Sequence, residues 1–264
     1  MRRLTVLGVV AWAAIAFLAL PLIVVIASSF TANGDLSFPI GGFSLEAYTR
    51  LLSDEQWLNS IRNSCVIAAA GAVVSTTIGF SMAIVNVRNS YRGRTLVEGV
   101  ILAPLVLPHA ALAIALFSLE RSIGIIGSFF GILAAHIVIT LPFAYRPLIT
   151  AFKRFDQTYA EAGSILGAPP GRVFRTVIMP ILKPAIVISL LFTFIISFDE
   201  ATVTLFLKGP NTTTLPVMIF GEMQEGTGLV VPAVSTLLIT VTIGLVMAIE
   251  KMVGLDVFVT SEAG

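Results

Sequence analysis

The chain has 264 residues, of which 56% are hydrophobic and 12% charged, with a formal net charge of +1. A soluble domain carries roughly 25% charged residues, so this composition excludes an ordinary soluble protein and identifies an integral membrane protein. The near-neutral charge gives no sign of a nucleic-acid partner, and the single cysteine, Cys65, excludes an internal disulfide.

The N-terminal stretch MRRLTVLGVVAWAAIAFLALPLIVVIASSF opens with two arginines and an apolar run. A signal-peptide core spans about 7–15 residues, and this run is longer, so it reads as an uncleaved first membrane helix near 7–30. Further stretches of the length a bilayer needs, about 20 residues, follow near 64–87, 97–118, 127–149, 183–207 and 229–250. Lipid offers backbone groups no alternative partner, so all six are expected to be helical. Cys65 lies in the second, where packing is its expected role. The third contains Pro104, Pro108 and His109; prolines there bend or break a helix and free carbonyls. His109 is a candidate pathway residue. In the fourth, His136 has a weaker claim, and Gly127-x-x-x-Gly131 has the spacing of close helix packing.

Between the fourth and fifth spans lies AFKRFDQTYAEAGSILGAPPGRVFRTVIMPILKPA, residues 151–185, containing a polar loop over 151–182. Thr158-Tyr159-Ala160-Glu161 has capping-box spacing. Ala162, Ile165 and Leu166 make an apolar face at helical spacing. Gly167 suits a left-handed helix end, and Pro169-Pro170 suits the start of another helix. The loop predicts a short helix, a sharp turn and a second helix leading to Met179-Pro180.

The fifth span carries Asp199 and Glu200 side by side, with Ser197, Thr202 and Thr204 nearby. Counted from Lys183 at 1.5 Å per residue, the pair lies about 24 Å along the helix. Carboxylates inside a span face a protein interior or a wet cavity. Asp199 is the first candidate for a solute pathway and Glu200 the second; structural pairing is the alternative. The loop at 208–228 contains an apolar patch, Leu215–Phe220, that predicts a small interfacial or re-entrant helix.

With the N-terminus cytoplasmic, the inner segments hold Arg2, Arg3, Arg88, Arg92, Arg94, Lys153, Arg154, Arg172, Arg175, Lys183 and Lys251, against Arg50, Arg62, Arg121 and Lys208 outside. The positive-inside rule therefore places both termini in the cytoplasm. No phosphate-binding G-x4-G-K-[ST] loop is present, and no Cys/His/Asp cluster suggests a metal.

The loop resembles the cytoplasmic signature of bacterial ABC-importer permeases, E-A-A-x3-G-x9-I-x-L-P. Glu161, Ala162, Gly163, Gly167, Val177, Met179 and Pro180 fall in register, with Gly163, Val177 and Met179 as departures. The stretches LPHAALAIAL, AHIVITLPFAYRPL and SFDEATVTLFLKGPNTTTLPVMIFGEM are similar to the second permease subunit of spermidine/putrescine-type importers. The resemblance implies an all-α, six-helix type I importer permease of the MetI-like fold in the bacterial inner membrane, a single transmembrane domain with no catalytic site. Its coupling helix, about 158–167, would place Glu161, Ala162, Gly163, Gly167 and Ala168 against an ATP-binding subunit. Two such subunits would bind the ATP and Mg, beside a homologous second permease, an extracytoplasmic solute-binding protein and membrane lipid. The cargo implied is a small amine-bearing solute. A self-sufficient carrier or channel would show repeated bundles or dense intramembrane ion ligands; neither is visible. A membrane scaffold that transports nothing is the remaining alternative.

Overall fold

A computed structural model of the chain describes residues 2–31, 42–226 and 228–253. Helix α1 covers Arg2–Ser28, α2 Glu46–Ser53, α3 Glu55–Arg88 and α4 Arg94–Leu102; after a 3-10 turn at Ala103–Leu105, α5 covers His109–Ile123. Helix α6 is Phe129–Arg154, α7 Gln157–Ile165, α8 Pro170–Val173, α9 Met179–Phe198, α10 Thr202–Leu207, α11 Leu215–Glu225 and α12 Val231–Val253. Among the described residues the only extended pairing is an isolated bridge between Thr31 and Phe43.

Four stretches are unbroken, long and apolar enough to cross a membrane: Gly8–Ser28, α3, α6 and Pro170–Phe198. The third expected span is different. Its helical pieces, Arg94–Leu105 and His109–Ile123, meet at 109°. Pro104 and Pro108 lack the amide hydrogens that would carry the helix through this point, and the corner tightens so that the Val106 N–H donates to the Ala103 carbonyl at 3.0 Å. The last apolar stretch is Val231–Gly244, within α12. Four of the six expected segments are thus single spanning helices, the third is a bent pair, and the last is a shorter apolar helix.

The fifth segment also departs from expectation. It begins earlier, running from Pro170 through α8 and one π-turn at Phe174–Ile178 into α9, and it ends at Phe198 rather than 207. Pro180 cannot donate to the Thr176 carbonyl, and a widened turn just ahead of it absorbs that missing bond.

Two compact units divide the chain, one drawn from 1–58 with 219–264 and the other from 59–218. In the first, α12 packs on α1 and α2. The Ser29 and Tyr48 hydroxyls are 2.8 Å apart, and Phe30 stacks on Phe43 with ring centroids 5.5 Å apart. Many apolar side chains in the 9–26 stretch of α1, including Trp12 and Phe17, are exposed, as on a lipid-facing helix.

In the second unit α6 is the central element and packs along α9. One apolar cluster joins Ile67, Leu112, Ile132, Ile139, Val203 and Leu207. Another joins Ala83, Ile101, Tyr145, Leu148, Phe152, Ile178 and Leu182. Helices α3 and α6 approach closely at Gly79, where an added Cβ would lie 3.1 Å from the Ala144 Cβ, and the Ser75 and Thr140 hydroxyls join them at 2.8 Å. Cys65, expected in packing, lies on an exposed face of α3.

The Gly127-x-x-x-Gly131 spacing does not make a helix–helix seam. Gly127 lies ahead of α6 in a turn with φ +72°, against the backbone of Gly209. Its N–H donates to the Leu207 carbonyl at 3.1 Å, and its carbonyl accepts the Thr212 hydroxyl at 3.2 Å. Gly131, in the first turn of α6, packs on the Glu120 carboxylate.

Candidate functional site

Two places concentrate chemistry: the interruption between α9 and α10, and the α7 turn.

At the first, the Glu200 carboxylate offers the backbone an alternative to the continuing helix. The Asp199 N–H still closes on the Ile195 carbonyl at 3.0 Å, but Glu200 Oε1 accepts the Val203 N–H at 2.8 Å and so starts α10. A side-chain oxygen satisfying a free N–H in the first turn is the usual N-terminal capping device. The other oxygen, Oε2, faces His109 Nδ1 at 3.4 Å, with the Glu200 side chain 6% exposed and that of His109 51% exposed. His109 is the first residue of α5, directly after Pro108. The break in the third segment and the break in the fifth therefore meet through one acid–imidazole contact. Desolvating Glu200 is compensated by that contact and by the amide hydrogen bond.

The sequence placed Asp199 and Glu200 on a continuous helix, diverging by about 100°. They instead occupy a helix end: Glu200 turns inward, and Asp199 is exposed, its carboxylate making no hydrogen bond or ion pair among the described residues. Thr202 is exposed as well. Ser197 is buried, with its hydroxyl 2.7 Å from His136 Nδ1.

His136 is fully buried, and its Nε2 lies 2.8 Å from the Thr204 hydroxyl. That hydroxyl is positioned to donate to the Glu200 carbonyl at 3.2 Å, so it accepts from His136. The assignment follows from counting protons: Nε2 carries the hydrogen, and Ser197 donates to Nδ1. His136 thus pins α9 and α10 to α6 from either side of the interruption, while His109 contacts it from α5.

At the second place, α7 is capped by Asp156, whose side chain accepts the Thr158 N–H at 2.9 Å. The expected cap at Thr158 with Glu161 is not formed; Asp156 reaches the free amide first, and the helix starts one residue before Thr158. Hydrogen bonding from Thr158 holds the Asp156 carboxyl below the usual carboxylate range. Glu161 and Ala162 are exposed, and Gly163 is half-buried where an added Cβ would meet Val173 Cγ2 at 3.2 Å. The turn closes as expected on Gly167, with φ +82°. The Gly167 N–H donates to the Ser164 carbonyl at 3.0 Å and the Ala168 N–H to the Gly163 carbonyl at 3.1 Å, the two bonds of a Schellman motif. Beyond the turn Pro170 opens α8. Ile165 and Leu166 are 85% and 87% exposed.

Sequence reasoning missed Glu120. It is 3% exposed, and neither carboxylate oxygen has a hydrogen-bond partner among the described residues. Next to Arg121 it reads as the polar end of a span; in the fold its carboxylate lies against Gly131 of α6. No group of three or more potential metal ligands occurs among the described residues.

Residues 75–250 match the family described as binding-protein-dependent transport system inner membrane component. The chain belongs to that family. It is 30% identical over 235 residues to the spermidine/putrescine transport system permease protein PotC of Escherichia coli K12, covering 88% of each chain. It is 29% identical over 230 residues to the putrescine transport system permease protein PotI of the same strain, covering 84% of this chain and 82% of the relative. The crystal structure of a bacterial ABC transporter involved in the import of the acidic polysaccharide alginate shares the fold, with a TM-score of 0.74 at 20% identity, covering 95% of this chain and 96% of that one. This family member is the transmembrane permease subunit of an ATP-driven importer. It is non-catalytic, and ATP hydrolysis resides in a separate subunit.

Proposed function

We propose that this permease forms half of a pathway for a small amine-bearing solute of the spermidine/putrescine class, with both termini cytoplasmic, and is driven through α7. A second homologous permease supplies the other half, two ATP-binding subunits act on α7, and a solute-binding protein delivers cargo from outside. The orientation rests on the basic residues of the inner segments.

The observation that carries the coupling role is the construction of α7. It is a short helix capped at both ends, yet it exposes Ile165 and Leu166 almost completely. Burying two such side chains stabilises a contact by roughly 1.5–3 kcal/mol each. That makes the turn a suitable plug for a cleft on the ATP-binding subunit, and Gly163 against Val173 ties its motion to the helix entering α9. Closure of the ATP-binding subunits would then rock α8–α9 and the interruption above them. Glu161, Ala162, Gly163, Gly167 and Ala168 make up this coupling element.

For the cargo, support comes from the two polyamine relatives and from Asp199, an exposed carboxylate at the interruption beside the Glu200–His109 contact. Asp199 is the favoured pathway residue; Glu200, His109, Ser197 and Thr202 shape the interruption around it. The fold alone does not select a cation, since the alginate importer shares it.

The test is reconstitution of this chain with its partner subunits in proteoliposomes. ATP-dependent uptake of labelled spermidine or putrescine, and crosslinking of an Ile165→Cys variant to the ATP-binding subunit, are expected. Uptake without ATP, or Ile165 accessible only to lipid-soluble reagents during transport, would defeat the proposal.

A further inference from the structure

Helix α9 ends at Phe198 and α10 starts at Thr202, so residues 199–201 belong to neither. Helices joined by such a link can swivel about it, because the continuous backbone ladder of a helix does not cross it. The groups that hold them are buried. The His136 ring, 1% exposed on α6, takes a hydrogen at Nδ1 from the Ser197 hydroxyl, 2.7 Å away on α9. It gives one from Nε2 to the Thr204 hydroxyl, 2.8 Å away on α10. Ser197 and Thr204 are buried as well. Helix α3 closes the back of this arrangement: a Cβ added at Gly71 would lie 3.5 Å from Ser197 Oγ and 3.9 Å from His136 Cβ.

The two flanks differ in what else fixes them. Helix α9 is tied to α6 a second time, where the Ser189 hydroxyl donates to the Ala144 carbonyl at 3.1 Å. Helix α10 packs on α5 and α6 through Val203 and Leu207, apolar contacts that are non-directional, and its far end is held where the Leu207 carbonyl accepts the Gly127 N–H. Beside the break its directional tie to α6 is Thr204–His136, and the same hydroxyl donates to the Glu200 carbonyl at 3.2 Å. His136 therefore fixes the rotation of α10, and with it the path of the backbone through Asp199. Helix α6 runs on from His136 to Arg154, and α7 begins at Gln157. At 1.5 Å per residue the ring stands about 27 Å along the helix that leads into α7. Two routes thus leave α7, one along α6 and one through Gly163 and Val173 into α8 and α9. They meet at this imidazole.

We infer that His136 is a positioning residue for transport: it makes α6, α9 and α10 turn as one body at the interruption, so that movement of α7 re-aims Asp199 instead of bending the chain at 199–201. The inference rests on the coupling role of α7 given under the proposed function and needs no particular cargo. The ring suits the task because it is rigid and its two nitrogens point in different directions, one accepting and one donating. A flexible side chain would hold either flank but not both in fixed relation.

The experiment uses the complete reconstituted transporter. His136→Asn keeps an acceptor near Nδ1 for Ser197 and gives up Thr204; His136→Gln places an amide nitrogen near Nε2 for Thr204 and gives up Ser197. Both are expected to assemble at wild-type yield and to lower solute transported per ATP about fivefold, the factor of one net hydrogen bond. Adding Thr204→Val should change nothing more in H136N, where that bond is already lost, and should lower coupling about fivefold further in H136Q. Adding Ser197→Ala should show the reverse. A crossed pattern marks direct pairwise contacts, and a general loss of stability does not produce it. If a His136 variant fails to assemble, Thr204→Val and Ser197→Ala alone, which leave the ring in place, are each expected to give the fivefold loss. A second readout is independent of cargo. In a Cys65→Ser background, Asp199→Cys should react with a charged thiol reagent at different rates in nucleotide-free and ATP-trapped complex, and H136N should abolish the difference. Wild-type coupling in every variant, or losses that follow the melting temperature of the complex whichever partner is removed, would overturn the positioning role. A nucleotide-dependent rate at 199 that persists in H136N would overturn it too. A wild-type complex whose labelling at 199 ignores nucleotide would remove the coupling reading and this inference with it. Absence of spermidine import alongside a His136-dependent labelling difference would remove the amine reading alone.

Discussion

Substitution of Gly167 tests the coupling element most directly, because nothing stands near it. A Cβ built on Gly167 would have no heavy atom within 4 Å, so the effect of a side chain there is confined to the backbone. At φ +82° an L side chain costs roughly 1–2 kcal/mol. Replacing glycine by alanine recovers about 0.4–1 kcal/mol by restricting the unfolded chain. The net penalty on the closed turn is then about 1 kcal/mol for alanine and more for valine, whose branched Cβ crowds both neighbouring peptides. Relief comes from opening the turn and giving up the Gly167–Ser164 and Ala168–Gly163 hydrogen bonds. Each is worth about 0.5–1.5 kcal/mol, comparable to the strain. The Ala variant should therefore populate open and closed turns together, and the Val variant mainly the open one. Asparagine tolerates the left-handed region and should fall between glycine and alanine. Solute transported per ATP hydrolysed, measured in proteoliposomes, is expected to rank Gly, Asn, Ala, Val. A ranking that followed helix propensity, with alanine best, or a ratio unchanged by valine, would refute the reasoning.

Three further outcomes follow from the geometry. Asp199→Asn should lower amine uptake about tenfold if the exposed carboxylate supplies roughly 1.4 kcal/mol of attraction, with assembled complex recovered at wild-type yield; equal loss of complex would assign Asp199 a structural role. Gly209→Ala places a methyl against the Gly127 carbonyl, backbone on backbone, and should destabilise by about 1–3 kcal/mol as overpacking does. The control Gly221→Ala, with nothing within 4 Å, should leave the melting temperature in detergent unchanged or raised. The Asp156 carboxyl is held below its unfolded range, so its contribution to α7 is complete above that range and is lost as pH falls through the depressed value; amide exchange of α7 should quicken over that acid window, and Asp156→Asn should abolish the dependence.

How much was legible in advance differs between the two candidate places. The α7 turn was readable because its determinants are local. Pro169 and Pro170 restrict their own backbone wherever they occur, Gly167 admits the left-handed conformation other residues resist, and the hydrogen bonds of the turn span only a few residues. The cap was misread because Asp156 and Thr158 are both good caps, and two residues decide which one reaches the free amide. At the interruption, the sequence supplied the anomaly of two carboxylates in an apolar run, but not the geometry that resolves it. Glu200 and His109 are 91 positions apart by their numbering, and Ser197 and Thr204 reach His136 across gaps of 61 and 68. No periodicity encodes such partners.

The amino-acid sequence by itself determined the solvent, the helical secondary structure and the family, because hydrocarbon forces backbone groups to pair within each segment and because short-range motifs carry their own geometry. Tertiary structure alone decided which carboxylate is sheltered and which is exposed, that Glu120 is buried, and that Gly127 serves a backbone crossing with Gly209. Those outcomes depend on what the chain brings back from far away, and desolvation is set by those distant neighbours.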